Sequence, residues 1–195
     1  MRIAIIKYNA GNIMSVEFAL KRLGVECEIT DVPERITSAD KVIFPGVGSA
    51  GVTMDYLKSR RLDILIKELK QPVLGICLGQ QLLCNYSEEG NTNCIGIFPM
   101  SVKRFEPKLK VPHMGWNSIH NLKSNLFDAS LEGQYVYFVH SFYVEQSQYT
   151  IATTDYILPF SAAIHKDNFY ATQFHPEKSS KVGMIILKNF IEKVN

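Results

Sequence analysis

The chain has 195 residues, with 21 Lys and Arg against 19 Asp and Glu, for a formal net charge of +2. That near balance argues against a nucleic-acid binder working mainly by phosphate neutralisation. Apolar residues make up 46% and charged residues 21%, a composition that excludes a disordered chain.

In chain order, RIAIIK (2–7) reads as a buried strand, followed by a glycine-containing turn, YNAGN (8–12). Val16, Ala19, Leu20 and Leu23 then recur at helical spacing, with Gly24 as the stop. VECEIT (25–30), KVIF (41–44) and PVLGIC (72–77) supply three more strands, and helical patterns run through MDYL, LDILIKEL and LGQQLLCNY. Such alternation predicts a mostly parallel sheet flanked by helices. The second half is richer in strands: YVYFVHSFYV, TIATT, SAAIHK and NFYATQF are β-branched and aromatic runs set apart by polar, Gly or Pro breaks. SSKVGMIILKNFIEKV then closes the chain as a helix. The expectation is one α/β domain over residues 1–195 with an antiparallel portion late in the chain. Its apolar runs are too short to span a membrane. Residues 1–30 lack a basic, apolar and cleavage series, so the chain reads as cytoplasmic.

Cys27, Cys77, Cys84 and Cys94 form no CxxC pair, and the five histidines lack the short paired spacing of a zinc site. Gly46, Gly48 and Gly51 match G-x-G-x-x-G, but after the third strand rather than the first. The stretch downstream looks helical and offers no acidic residue at a strand end, so a dinucleotide fingerprint is a poor fit. PGVGS is either a tight turn or a row of backbone N–H groups aimed at a developing negative charge.

Cys77 decides where that charge develops. Gly75-Ile76-Cys77-Leu78-Gly79 places it at a strand–helix junction with glycine on either side, the pattern of a nucleophile elbow. A helix N-terminus there favours the thiolate. Phe174-His175-Pro176-Glu177 supplies a base and its orienter, because in an extended segment residues two apart point the same way. The sequence therefore predicts a triad in the order Cys77, His175, Glu177. Cys27, Cys84 and Cys94 have no such surroundings and read as structural.

With GICLGQQLL and FHPE in this order, the chain resembles the class I, triad-type glutamine amidotransferases over nearly its whole length. YNAGN, PGVGSAG and PHMGWN (112–117) look like the glutaminase subunits of imidazole glycerol phosphate synthases, of histidine biosynthesis. The resemblance implies a flavodoxin-like α/β fold and no metal or organic cofactor. It assigns Cys77, His175 and Glu177 as nucleophile, acid/base and orienter, and Gly46, Val47 and Gly48 as the oxyanion strand. Gln81 and Glu89 correspond to side chains that hold the substrate glutamine, and Ser141 and Phe142 to backbone lining the same pocket. Met114, Trp116, Asn117, Tyr137 and Lys178 fall where the family meets its partner, a (β/α)8-barrel cyclase subunit in a heterodimer.

The implied reaction is attack by Cys77 on the glutamine side-chain amide, release of ammonia into the barrel, and hydrolysis of the thioester. The barrel would use that ammonia to make imidazole glycerol phosphate and an aminoimidazole carboxamide ribotide. The resemblance also implies weak basal activity that rises when the partner holds its ligand. Rotation of the PGVGS backbone would account for this, and a β-branched residue at Gly46 should then change basal and stimulated rates unequally. Lys7, Asn9 and Gln80 depart from the family pattern, which leaves open a paralogue feeding another synthase, such as one aminating a sugar precursor. A cysteine hydrolase of α/β-hydrolase type and a non-enzymatic regulatory module are the rivals from other classes.

Overall fold

A computed structural model describes residues 1–8 and 13–194. Its strands are β1 (Ile3–Ile6), β2 (Cys27–Thr30), β3 (Lys41–Phe44), β4 (Val73–Ile76), β5 (Cys84–Ser87), β6 (Thr92–Asn93), β7 (Phe98–Arg104), β8 (His113–Ser118), β9 (Tyr135–His140), β10 (Phe142–Val144), β11 (Thr150–Tyr156), β12 (Leu158–Lys166) and β13 (Phe169–Thr172). The helices are α1 (Ile13–Arg22), α2 (Pro33–Thr37), α3 (Ala50–Ser59), α4 (Leu62–Glu68), α5 (Leu78–Leu82) and α6 (Ser180–Glu192).

The main sheet has seven strands in the order β11-β12-β13-β4-β3-β1-β2. From β13 to β2 every neighbouring pair is parallel, and β12 and β11 extend the sheet antiparallel. The parallel part follows the flavodoxin-like doubly wound order. This is the mostly parallel sheet with a late antiparallel portion that the strand and helix patterns predict. Ile3, Ile5, Ile43, Leu74 and Ile76 face one core, against α1, α6 and the β8–β9 hairpin. Ala4, Ile6, Val42, Phe44 and Val73 face the other, against α2, α3, α4 and α5. Burial on both faces explains why these strands read as continuous apolar runs rather than alternating ones.

Three expectations differ from the structure. The helical pattern over 78–86 stops after one turn at Leu82, and Cys84 opens β5. The carbonyls that would continue the helix are occupied from outside. Leu82 O accepts from Ile95 N, Leu83 O from Ile97 N and Phe98 N, and Cys84 O from Gly96 N. The second difference is a four-stranded sheet, β10-β7-β5-β6, built on that turnover. In addition, PHMGWN, assigned no element from its pattern, forms most of β8, paired antiparallel with β9. The turn expected at YNAGN falls largely on residues 9–12, outside the described residues. Among those described, no helix is long and apolar enough to cross a membrane.

Where β8, β9, β10 and β12 meet, Phe160 is fully buried and packs against Phe105, Phe138 and His140 with ring centroids 5.2–5.9 Å apart. Phe160→Ala is expected to cost about 3–5 kcal/mol of folding stability, measured as a lowered urea midpoint.

Candidate active site

Cys77 lies between β4 and α5 at the C-terminal edge of the parallel sheet, where doubly wound folds place their ligands. Its backbone has φ +54° and ψ −106°, a left-handed conformation costly for a residue with a Cβ. Cys77 N donates to Thr172 O on β13 at 2.7 Å, anchoring the reversal to the sheet. Glycine is required where the elbow crosses the loop after β3. A Cβ on Gly79 would strike Phe44 O, and one on Gly46 would lie 2.6 Å from both Gly79 N and Leu78 Cβ.

His175 follows β13, and its Nδ1 lies 2.7 Å from Glu177 Oε1, with both side chains 1% exposed. The pairing is the expected one, but the backbone differs. Strand β13 ends at Thr172, and a 3-10 turn over Pro176–Lys178 swings Glu177 under the ring. The turn is stitched to β9: His175 N donates to Tyr137 O at 2.9 Å, and Tyr137 N donates to Ser179 Oγ at 2.9 Å. Because Nδ1–H donates to the carboxylate, Nε2 is the nitrogen left for chemistry. It is buried, and the Cys77 sulfur is the acceptor within its reach. Burial alone would lower the imidazole pKa. The Cys77 sulfur, as a charge and a hydrogen-bond acceptor, and then Glu177 outweigh it and hold the ring up at about 10.

A cleft of about 290 Å³ opens onto Cys77, lined by Val47, Gly48, Gln81, Glu89, Ser141 and Phe142 among others. Of the residues expected to bind substrate, Gly46 alone does not line it; that glycine sits behind the cleft, beside His175 and Glu177. Gln81 Nε2 donates to Phe142 O and to Gln173 Oε1, both at 3.0 Å. Its two amide protons are thus committed, and only its carbonyl oxygen remains to offer a ligand. Glu89 Oε2 accepts from Ala50 N at 2.8 Å, so the carboxylate caps α3 while facing the cleft. Tyr8 O–H donates to Pro45 O, which fixes the start of the Gly46–Gly48 segment.

Pattern reading missed Pro112, Val139 and His140 in the lining, and Gln173 behind it. His140 is one of a buried pair whose tautomers the geometry dictates. Its Nδ1 donates to Phe142 O at 2.7 Å, its Nε2 accepts from His113 Nδ1 at 3.0 Å, and His113 Nε2 accepts from Asn117 Nδ2 at 3.4 Å. Desolvation leads in holding His113 down at about 4 and His140 at about 3.

On the outer side of the β8–β9 hairpin, Met114 and Trp116 are 57% and 53% exposed. Trp116 stands opposite Tyr137 with ring centroids 6.1 Å apart. Lys178 is exposed on the turn stitched to Tyr137, so four of the five expected partner positions gather in one region. Asn117 faces the other way, donating to Asp155 O at 2.9 Å as well as to His113. Among the described residues, no three His, Cys, Asp or Glu side chains converge as metal ligands.

A family model for class-I glutamine amidotransferases matches residues 4–194. The chain belongs to that family. Within it, the chain is 64% identical to an imidazole glycerol phosphate synthase subunit HisH of Bacteroides fragilis, covering 98% of this chain and 100% of that one. It is 47% identical to the HisH subunit of Pasteurella multocida, covering 98% of each. These identities place it among the HisH subunits of the amidotransferase family. In fold it matches a putative GMP synthase subunit from Thermoplasma acidophilum with a TM-score of 0.76, at 22% identity over 98% of this chain and 92% of that one.

The three buried histidines of this amidotransferase should differ in solution. In long-range 1H–15N spectra, His113 and His140 are expected as neutral Nδ1–H rings from about pH 5 to about pH 8, and His175 as imidazolium only while the Cys77 sulfur carries charge. The unfolded chain protonates His113 and His140 near pH 6.5, the folded chain only near 4 and 3. Their contribution to stability is therefore present above pH 6.5 and lost on acidification through those values. His175 has the opposite sign: its contribution is complete below pH 6.5 and fades as pH rises through about 10.

Proposed function

We propose that the chain hydrolyses glutamine through Cys77, His175 and Glu177 and delivers ammonia to an imidazole glycerol phosphate synthase. The reading rests on one convergence. A strained Cys77 and a Glu177-held His175 meet at a single cleft, in a chain 64% identical to a HisH subunit. The Cys77 proton passes to His175 Nε2, and the thiolate attacks the glutamine side-chain carbonyl carbon. As the tetrahedral intermediate collapses, His175 returns the proton to the departing nitrogen, leaving a γ-glutamyl thioester and ammonia. Water activated by His175 then cleaves the thioester to glutamate. Gln81 accepts an N–H of the substrate through its carbonyl oxygen, and the capping carboxylate of Glu89 bounds the same pocket. No metal or organic cofactor takes part.

The whole chain acts as one glutaminase domain. Its partner is a (β/α)8-barrel cyclase subunit, docked as a heterodimer on the region carrying Met114, Trp116, Tyr137 and Lys178, with Asn117 bracing β8 from behind. The barrel uses the ammonia to form imidazole glycerol phosphate and the aminoimidazole carboxamide ribotide. A cytoplasmic location suits the four cysteines, all of which are free thiols.

The oxyanion site offers a physical reason for the weak basal activity that the family resemblance implies. Elbow nucleophiles use the N–H of the following residue together with one from a neighbouring loop, yet Leu78 N here donates to Gly46 O at 3.4 Å. Rotation of the Gly46–Val47–Gly48 backbone would release Leu78 N and bring a second N–H into place. Gly46 is an unsuitable probe of that rotation, because any Cβ there collides with the elbow. Gly48 has φ +128°, and a Cβ on it would have Thr53 Oγ1 as its nearest neighbour, 4.0 Å away. Gly48→Ala therefore penalises the present backbone conformation without a clash. It should change basal and barrel-stimulated glutamate release by different factors, and equal fractional losses would contradict the switch.

The function itself is tested by glutamate release from the chain alone and with a cognate barrel subunit holding its acceptor ligand. The expected result is strong stimulation that disappears in Cys77→Ala. Activity indifferent to this barrel would move the partner to another synthase, and none with any partner would overturn the enzyme reading.

A further inference from the structure

Two residues before His175, Gln173 is fully buried, with its backbone N–H held by Ala162 O at 2.8 Å. An unpaired amide in such a place is costly, and a buried one normally satisfies main-chain groups. Both ends of this amide instead meet side chains of the site. Gln173 Oε1 accepts from Gln81 Nε2 at 3.0 Å, and Gln173 Nε2 lies 3.6 Å from Cys77 Sγ.

Which end faces the sulfur follows from hydrogen-bond logic. Phe142 O has no proton, so the Gln81 atom 3.0 Å from it must be the amide nitrogen. That nitrogen also faces Gln173 at 3.0 Å and needs an acceptor there, which can only be Oε1. Gln173 Nε2–H is then left pointing at Sγ. A flipped amide would set two N–H groups against each other and a carbonyl oxygen against the thiolate.

We propose that Gln173 is a catalytic residue whose carboxamide N–H donates to the Cys77 sulfur while it carries negative charge. The inference rests on the nucleophilic reading of Cys77. When the thiol proton moves to His175 Nε2, the electron pair left on sulfur meets the Gln173 N–H. As the S–C bond forms, that charge passes to the carbonyl oxygen and the hydrogen bond weakens. When water has added and the S–C bond breaks, the pair returns to sulfur and the N–H receives it again. The donor acts on both the attack and the expulsion of the thiolate. Its direction is fixed from the substrate side by Gln81, so a residue lining the glutamine cleft also sets the donor at the nucleophile.

The test uses the full chain and two substitutions that both remove the N–H. Gln173→Glu keeps an acceptor for Gln81, whereas Gln173→Met removes donor and acceptor at similar volume. Iodoacetamide alkylation of Cys77, resolved from the other cysteines by peptide mass spectrometry, should slow roughly 10- to 100-fold at neutral pH in both, as for loss of a hydrogen bond to a charged group. The pH profile of alkylation should move upward in both. With the barrel present, glutaminase kcat should fall by a similar factor in Gln173→Glu at little-changed KM, while Gln173→Met also raises KM. A merely structural Gln173 would lower the melting temperature and leave the alkylation profile in place. Folded variants that alkylate and turn over like the wild type would overturn the inference; if one variant fails to fold, the other decides. Slowed alkylation in a chain that releases no glutamate with any partner would support the Gln173–Cys77 pair and remove only the glutaminase reading.

Discussion

At Cys77 a parallel strand turns into a single helical turn through a backbone conformation that costs about 1–3 kcal/mol for a residue with a side chain. The neighbours that hold it there define the site. Thr172 O holds the Cys77 amide, and Gly46 and Gly79 let the loop after β3 pass against α5 with no Cβ between them. One helical turn gives little macrodipole, so charge on the sulfur depends on His175 and its surroundings more than on α5. The short α5 also returns the chain early enough for β5 to form, and with it the second sheet that carries Glu89 and Phe142 to the cleft.

The same hydrogen-bond logic that orients the side chains at the elbow continues outward. From Asn117 an N–H points to His113, from His113 to His140, and from His140 to Phe142 O, where Gln81 converges from the other side. Every donor in that series is determined by a carbonyl that can only accept. On the opposite edge, Tyr137 of β9 holds both ends of the turn carrying His175. The β8–β9 hairpin thus braces the base through main-chain bonds and the cleft wall through two neutral histidines.

Much of this could be read from sequence where one residue type has one explanation. Apolar runs with helices between them marked β1, β3 and β4, because burial on both faces leaves few polar positions. Glycines around Cys77 and the His-x-Glu spacing marked the triad, since few other arrangements need those residues together. Where partners lie far apart in sequence, local pattern failed. LGQQLLCNY carries a helical signature to residue 86, but the segment at 95–98 takes its carbonyls and ends the helix. FPMSVKR and HMGWNS become strands only by pairing with distant segments. Gln173 left one usable trace, an amide side chain at the end of the strand run FYATQF, and a buried polar position is more informative than a buried apolar one. His113 and His140 left none, since only the register of β8 on β9 sets them opposite each other.

The lone tryptophan gives this molecule a built-in optical reporter. Trp116 is the single indole in the chain and is 53% exposed, beside Tyr137 on the outer side of the hairpin. Its emission is therefore that of a half-hydrated ring at one known position, without any label. The signal comes from the hairpin that braces His175 and the cleft wall. Quenching by a small solute would thus read access to that hairpin separately from events at the sulfur.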